Sequence, residues 1–484
     1  MIRCRSSPTR YAARSPTFGK HIVKQLIALL SLLSGTYAQA QPADLAIRGA
    51  TVVDMTDGSL LPAQTVLVAG HRIVGVGPAD EIAVPNDAEV VDAAGKYLIP
   101  GLWDMHVHGT EYESTYPLYL ANGITGVREM FGPSDVRAFR AALQAKQITA
   151  PRLYMSGPFL DGSPPIWPGS IAVTTVEEGR RAVEEQKQQG VDFIKIYSAL
   201  PRDAYYAILA ESVRQGLSVA GHVPESVTLW EAAAAGQRTV EHLTQIPLAC
   251  SSEETRLRGE VVDSFVAWIR NQAEASHSFD PAKCRLLYTA LIRNDVWMVP
   301  TLTALRSYGW RNDPQFADDD RLRYFDADTR AWLAPPADDS PEGRWMEADY
   351  AAARELLAFN QKLVGEMFRA GVRILAGTDA LNPYVFPGFS LHDELALLVG
   401  SGMTPLAALQ AATSSAAAFV GQGAEHGSVA PGEFADLVLL DANPLEDIRN
   451  TQKIRAVVAD GLLYRRADLD RLLANAEAHA STDR

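Results

Sequence analysis

The 484-residue chain is 47% hydrophobic and 21% charged, with 35 Gly and 28 Pro, a globular composition that excludes a disordered, collagen-like or coiled-coil chain. Its 44 Lys and Arg against 58 Asp and Glu give a net charge of −14, the wrong sign for wrapping nucleic acid or an anionic membrane. At about 150 residues per domain the length allows two to three domains, fewer if one of them is a barrel.

Residues 1–40 read as a signal peptide. Arg3, Arg5, Arg10, Arg14, Lys20 and Lys24 precede an apolar run from Leu26 to Leu33, which is too short to span a bilayer. Ala38-Gln39-Ala40 then supplies a small-x-small cleavage pattern. An exported chain, periplasmic or secreted and starting at Gln41, is expected, with a mature charge of about −20. No later stretch reaches the length of a membrane helix, so no membrane attachment is expected after cleavage.

From Asp44 the pattern is short, alternating and rich in Val, Ile and Gly, which predicts strands joined by hairpin turns. A similar pattern returns at Asp436–Asp441 and Ile454–Leu463, the second broken by an Asp460-Gly461 turn. Neither flank has enough strands to cover its own apolar face, so residues 41–97 and 424–466 are expected to build one composite β-sandwich, followed by a tail over 467–484.

Between the flanks, residues 98–423 alternate short apolar runs with helical patterns. The runs are Tyr97–His108, Gly123–Met130, Arg152–Ser156, Asp192–Tyr197, Leu217–His222, Thr239–His242, Trp297–Thr301 and Arg373–Asp379. Eight strands alternating with helices predict an α/β fold of the (β/α)8 TIM-barrel type. After Thr301 about fifty residues intervene before the helical pattern Ala351–Ala370, a long excursion on the side where barrel enzymes build their sites. Whether it is a lid or a passive insertion stays open.

Several strand ends carry chemistry-bearing residues. In Trp103-Asp104-Met105-His106-Val107-His108 the two histidines share a strand face, with Cα atoms roughly 6.5–7 Å apart. Both can reach one ion, although an HxH pair alone is weak evidence. Lys195 shares a face with Tyr197, while Ile194 and Ile196 take the opposite one. An inward ammonium must find a carboxylate, lose its proton or be modified, for instance by carbamylation with carbon dioxide. His222, His242 and Asp379 also fall at C-terminal strand ends, where barrel enzymes place catalytic groups. His277, His392 and His426 do not share this placement, and His392 reads as a helix-start contact.

The ordered set of HxH, inward lysine, two single histidines and the Gly377-Thr378-Asp379-Ala380 run, introduced by Leu98-Ile99-Pro100-Gly101, resembles the amidohydrolase superfamily over nearly the whole mature chain. The likeness is greatest to the imidazolonepropionase-like branch, which includes metal-dependent dipeptidases and N-acyl amino acid hydrolases. It implies two divalent metal ions, with zinc the expected element. His106 and His108 would hold the first, His222 and His242 the second, and carbamylated Lys195 would bridge them. Asp379 would bind the first metal and shuttle protons while a metal-bridging hydroxide attacks the carbonyl.

The expected activity is cleavage of amide bonds in small dipeptides or N-acyl amino acids. The alternatives are a cyclic amide, lactone or ester hydrolase, or an exported metal- or solute-binding protein without turnover. Tyr197 is a candidate oxyanion donor, and Arg128 and Arg306 are candidate anchors for a substrate carboxylate. Cys250 and Cys284, the two cysteines left after cleavage, are candidates for a disulfide. The expected partner is a small-molecule substrate, with homo-oligomer formation left open.

Overall fold

The computed structural model describes residues 42–482 apart from 110–111, 146, 261, 263 and 335–344. The expected signal peptide and residues 335–344 of the excursion after Thr301 lie outside the described residues. The chain starts with strands β1 (Leu45–Val53), β2 (Leu60–Ala69), β3 (Arg72–Pro78), β4 (Glu89–Asp92) and β5 (Tyr97–Pro100). Parallel strands follow: β6 (Leu102–Val107), β7 (Ile124–Glu129), β8 (Arg152–Met155), β9 (Leu160–Asp161), β10 (Ile171–Ala172), β11 (Phe193–Ile196), β12 (Ser218–Gly221), β13 (Thr239–Glu241) and β14 (Trp297–Val299). Antiparallel pairing returns with β15 (Leu437–Leu440), β16 (Ile454–Ala459) and β17 (Leu462–Arg465).

The two chain ends meet in a single eight-stranded sheet of order β17-β16-β15-β5-β1-β2-β3, with β4 on β1. Strand β15 pairs antiparallel with β5, Leu437 opposite Pro100 and Leu440 opposite Tyr97. The flanks therefore need each other, as expected, but they join edge to edge in one sheet, and the pairing does not divide them into the two facing layers of a sandwich. Leu45, Ile47, Val66, Leu98, Leu437 and Val458 are among the side chains packed in its apolar layer.

The central strands form a three-stranded sheet, β6-β7-β8, and a six-stranded sheet, β10-β9-β11-β12-β13-β14. The helix-to-strand rhythm has local causes. Helices Val176–Gln189 and Leu229–Ala235 start at capping boxes, Thr175 with Glu178 and Thr228 with Glu231. Those two helices and Arg202–Gln215 stop at left-handed Gly236, Gly190 and Gly216, where the missing Cβ makes the conformation affordable. Each glycine is followed within a few residues by the next strand.

The expected eighth strand is not a strand. Residues 373–380 make isolated parallel bridges, Met298 with Ile374 on one side and Val107 with Ala380 on the other. Between β8 and β11 the link is likewise one backbone bond, Asp192 N–H to Met155 O at 2.8 Å. The strands follow the expected order without closing into one continuous ladder. The excursion after β14 is mostly helical, with Leu302–Trp310, Pro314–Ala317, Ala327–Leu333 and the 24-residue Glu347–Ala370, which starts before the expected Ala351.

Candidate active site

Strand β6 turns His106 and His108 to one side, and residues 373–380 bring Asp379 against them. His106 Nε2 and His108 Nε2 lie 3.2 Å apart, and Asp379 Oδ1 is 3.3 Å from the first and 2.9 Å from the second. His242, just past β13, places Nδ1 3.4 Å from Asp379 Oδ2. One ligand atom each from His106, His242 and Asp379 falls within 4.8 Å of the others, a spacing that one cation can occupy. His222, just past β12, joins the set edge-on, its ring centroid 4.9 Å from that of His242.

These positions are held under backbone constraint. His242, Thr301 and Asp379 all have positive φ, at 57°, 45° and 65°, a costly conformation for such residues that persists only where the surroundings impose it. Gly221 has φ of 134°, and a Cβ there would lie 2.1 Å from the Ile196 carbonyl oxygen, so only glycine lets β12 deliver His222 this close to β11.

Hydrogen bonds orient the rings. His106 Nδ1 donates to Glu241 Oε2 at 2.8 Å, leaving Nε2 aimed at Asp379. His222 Nδ1 meets Ser198 Oγ at 2.8 Å, and His242 Nδ1 meets Thr301 Oγ1 at 2.7 Å. Asp104 ties the two halves of the site together: its carboxylate accepts from the Thr378 N–H at 3.0 Å and the Thr378 hydroxyl at 2.7 Å, one residue before Asp379. Sequence position alone does not single out Glu241 or Asp104, although each lies in a run that also carries a candidate ligand, His242 and His106 respectively.

Lys195 is fully buried, and its Nζ has no hydrogen-bond partner among the described residues. It lies 5.2 Å from the centre of the Phe159 ring. Burial brings its ammonium down to about 8, against the opposing pull of Glu241 and Asp379. Burial likewise holds His106 and His222 well below the usual imidazole range and His242 at about 4. Burial works to raise the Asp379 carboxyl, but His242, His108 and Lys195 outweigh it and hold it low. Burial thus favours the neutral ring at His106, His222 and His242, and the charges around Asp379 favour its ionised form, the protonation states that metal ligands require.

Tyr197 forms part of the wall. Its ring packs against His222 at 4.0 Å and stacks on Phe159 at 5.0 Å. Its hydroxyl accepts from Trp167 Nε1 at 2.8 Å, so its own hydrogen remains available to donate.

Arg128 corrects an expectation. It is wholly buried, donating from Nε to the Met105 carbonyl at 2.6 Å and from Nη2 to both Glu241 oxygens at 2.8 and 2.9 Å. It stands behind His106 as the counter-charge of Glu241 and is not presented to a substrate. Arg306 is paired with Asp393 at 2.9 Å, which also takes Arg321 at 3.1 Å. Cys250 and Cys284 are joined in a disulfide with Cα atoms 4.5 Å apart. His392 lies away from the set, bonded to Thr451 Oγ1 and the Asn122 carbonyl.

Comparison with known proteins agrees with this geometry. Residues 97–463 match the pattern of the family described as "Amidohydrolase family". Ochratoxinase of Aspergillus niger is 25% identical over 424 residues, covering 74% of this chain and 73% of that enzyme. Two solved structures share the fold: bottromycin amidohydrolase, with a TM-score of 0.69 at 24% identity over 91% of both chains, and a Xaa-Pro dipeptidase, with a TM-score of 0.62 at 21% identity over 87% of this chain and 99% of the other. Adenine deaminases match only in part, and the chain spans 23% of the length of that from Rubrobacter xylanophilus.

Proposed function

The chain belongs to the amidohydrolase family, and from that membership we propose that it is a metal-dependent hydrolase that cleaves amide bonds of small dipeptides or N-acyl amino acids. The observation that carries the reading is the convergence of His106, His108, His242 and Asp379 beside a buried amine, Lys195, that lacks a partner among the described residues. Imidazole nitrogens and carboxylate oxygens are the donors that zinc and its neighbours prefer, and an unmodified ammonium in their midst would repel a cation.

In this reading His106, His108 and Asp379 would hold one ion and His222 and His242 a second, with Lys195, as a carbamate, a ligand shared by the two. The carbamate forms when the neutral amine attacks carbon dioxide, making the Nζ–C bond and releasing one proton to solvent. Bound divalent ions supply a polarised carbonyl and a water acidic enough to attack it near neutral pH. Asp379 takes the proton of the attacking water and delivers it to the departing amine nitrogen. Tyr197 donates its free hydroxyl hydrogen to the oxyanion. Arg128 acts at a distance as a positioning residue, holding Glu241 against His106 Nδ1.

Export behind residues 1–40 and completion of an eight-membered (β/α)8 ring by residues 373–380 belong to the same proposal. An N-terminal residue other than Gln41 in exported protein would refute the cleavage site.

The test is metal analysis of the purified protein together with a screen of dipeptides and N-acyl amino acids. Asp379→Asn should keep metal and lose about 10²–10⁴-fold in kcat. Lys195→Ala should lose metal and activity, with acetate or propionate restoring part of both. Full metal occupancy and near-normal turnover in Lys195→Ala would overturn the bridging role. Because Arg128 and Arg306 are committed to Glu241 and Asp393, an N-acyl amino acid and its C-terminal amide should have similar kcat/KM. A strong preference for the free acid would restore a carboxylate anchor.

A further inference from the structure

We infer that Trp167 and Trp332 form an aromatic entrance selecting substrates by a large apolar or aromatic side chain; this deepens the amide-hydrolase reading and rests on it. The two residues come from separate excursions, Trp167 between β9 and β10 and Trp332 in the helix Ala327–Leu333 after β14. Their rings nevertheless meet edge to face with centroids 6.1 Å apart.

Each indole is fastened to one side of the metal set. Trp167 donates to the Tyr197 hydroxyl at 2.8 Å, and the Tyr197 ring rests on His222 at 4.0 Å. Trp332 donates to the Leu381 carbonyl at 3.3 Å, two residues past Asp379. The pair therefore reaches from the His222 side of the set to its Asp379 side. Below it, Phe159 continues the aromatic wall, stacked on Tyr197 and 5.8 Å from the His108 ring.

The rings are not there as ordinary core. Trp167 and Trp332 remain 37% and 40% exposed, and the neighbouring Ile166 is 53% exposed. A cluster of large apolar side chains left open to water at the mouth of a site marks a surface that a ligand covers. Because both indole N–H groups already have acceptors within the protein, the ring faces and edges are what remain for recognition. An aromatic substrate side chain can enter beside them and bury its surface, whereas a methyl group cannot reach across.

The experiment compares N-acetyl-L-phenylalanine with N-acetyl-L-alanine as substrates of the metal-loaded protein. The wild type should favour the phenylalanine compound by about 10–100-fold in kcat/KM, mostly through KM. Trp167→Ala and Trp332→Ala should each cut that preference by about tenfold, and Trp167→Phe, which keeps a ring, should retain most of it. Preference equal in wild type and both alanine variants overturns the entrance while leaving the hydrolase reading intact.

Calorimetric titration with L-phenylalanine and L-alanine needs no turnover and separates the two claims. Tighter binding of phenylalanine to the wild type, lost in the alanine variants, supports the entrance even if neither substrate is hydrolysed, in which case only the amide-hydrolase reading falls. Indifference to the side chain in that titration overturns the entrance.

Discussion

Between the guanidinium of Arg128 and the ring of His106 stands one carboxylate, Glu241, and all three side chains are wholly buried. Glu241→Gln strands a buried cation and frees the His106 ring. It should lower unfolding free energy by about 3–5 kcal/mol and weaken metal affinity about 10–100-fold, read by denaturant titration and metal competition. His392 makes a separate, pH-dependent prediction. Burial holds its imidazole at about 4 against an ordinary 6.5, so between those values the unfolded chain binds a proton that the folded chain does not. Stability should therefore fall as the pH drops through this window, by about 1.4 kcal/mol per pH unit for this proton. Replacing it, as His392→Gln, should shrink the difference in unfolding free energy between pH 7 and pH 5 by about 2 kcal/mol; an undiminished difference would mean that the ring is charged in the fold. The residues meeting at the site were legible because strand alternation puts His106 and His108 on one face and strand ends collect His222, His242 and Asp379. Parity assigns a face, however, and says nothing of partners. Arg128 looked like a substrate anchor because its acid, Glu241, lies 113 positions away, and the Asp104–Thr378 tie spans 274.

Strand β12 illustrates what one missing methyl does for an element. Gly221→Ala would force a Cβ to within 2.1 Å of the Ile196 oxygen at a φ of 134°, so β11 and β12 must part or the chain must turn before His222. The variant should lose at least about 1–3 kcal/mol of stability and bind less metal, measured by thermal unfolding and metal stoichiometry; wild-type values for both would refute the argument. The helices and most parallel strands were legible because their boundaries are written locally, in Thr175 and Thr228 as caps and Gly190, Gly216 and Gly236 as stops. Residues 373–380 have the apolar run of a strand and bond by backbone to β14 on one side and to β6 on the other, yet the pairing is reduced to single bridges, and Asp379 within the segment has φ of 65°, outside the extended conformation that a continuous ladder needs. The β-rich flanks posed the same difficulty. Alternation predicts one buried face whether two ribbons stack or join at their edges, and only the β15–β5 register decides for the edge.

On the scale of the whole molecule, the covalent and non-covalent ties differ in reach. The Cys250–Cys284 bond closes a separation of 34 residues and braces the helix that follows His242 against Pro281–Arg293. Replacing both cysteines with alanine should cost about 2–4 kcal/mol of unfolding free energy, and intact mass should show the native protein two hydrogens lighter than its dithiol form. Both sulfurs belong to fully buried residues, so reductant should act only once the chain opens. The eight-stranded sheet reaches much further. Strand β15 grips β5, and β5 leads through Gly101 directly into β6, the strand of His106 and His108. The strands made first must therefore wait for those made last, and a chain stopped short of Leu437 leaves the β5 edge bare, an open row of amides and carbonyls inviting proteases or other strands.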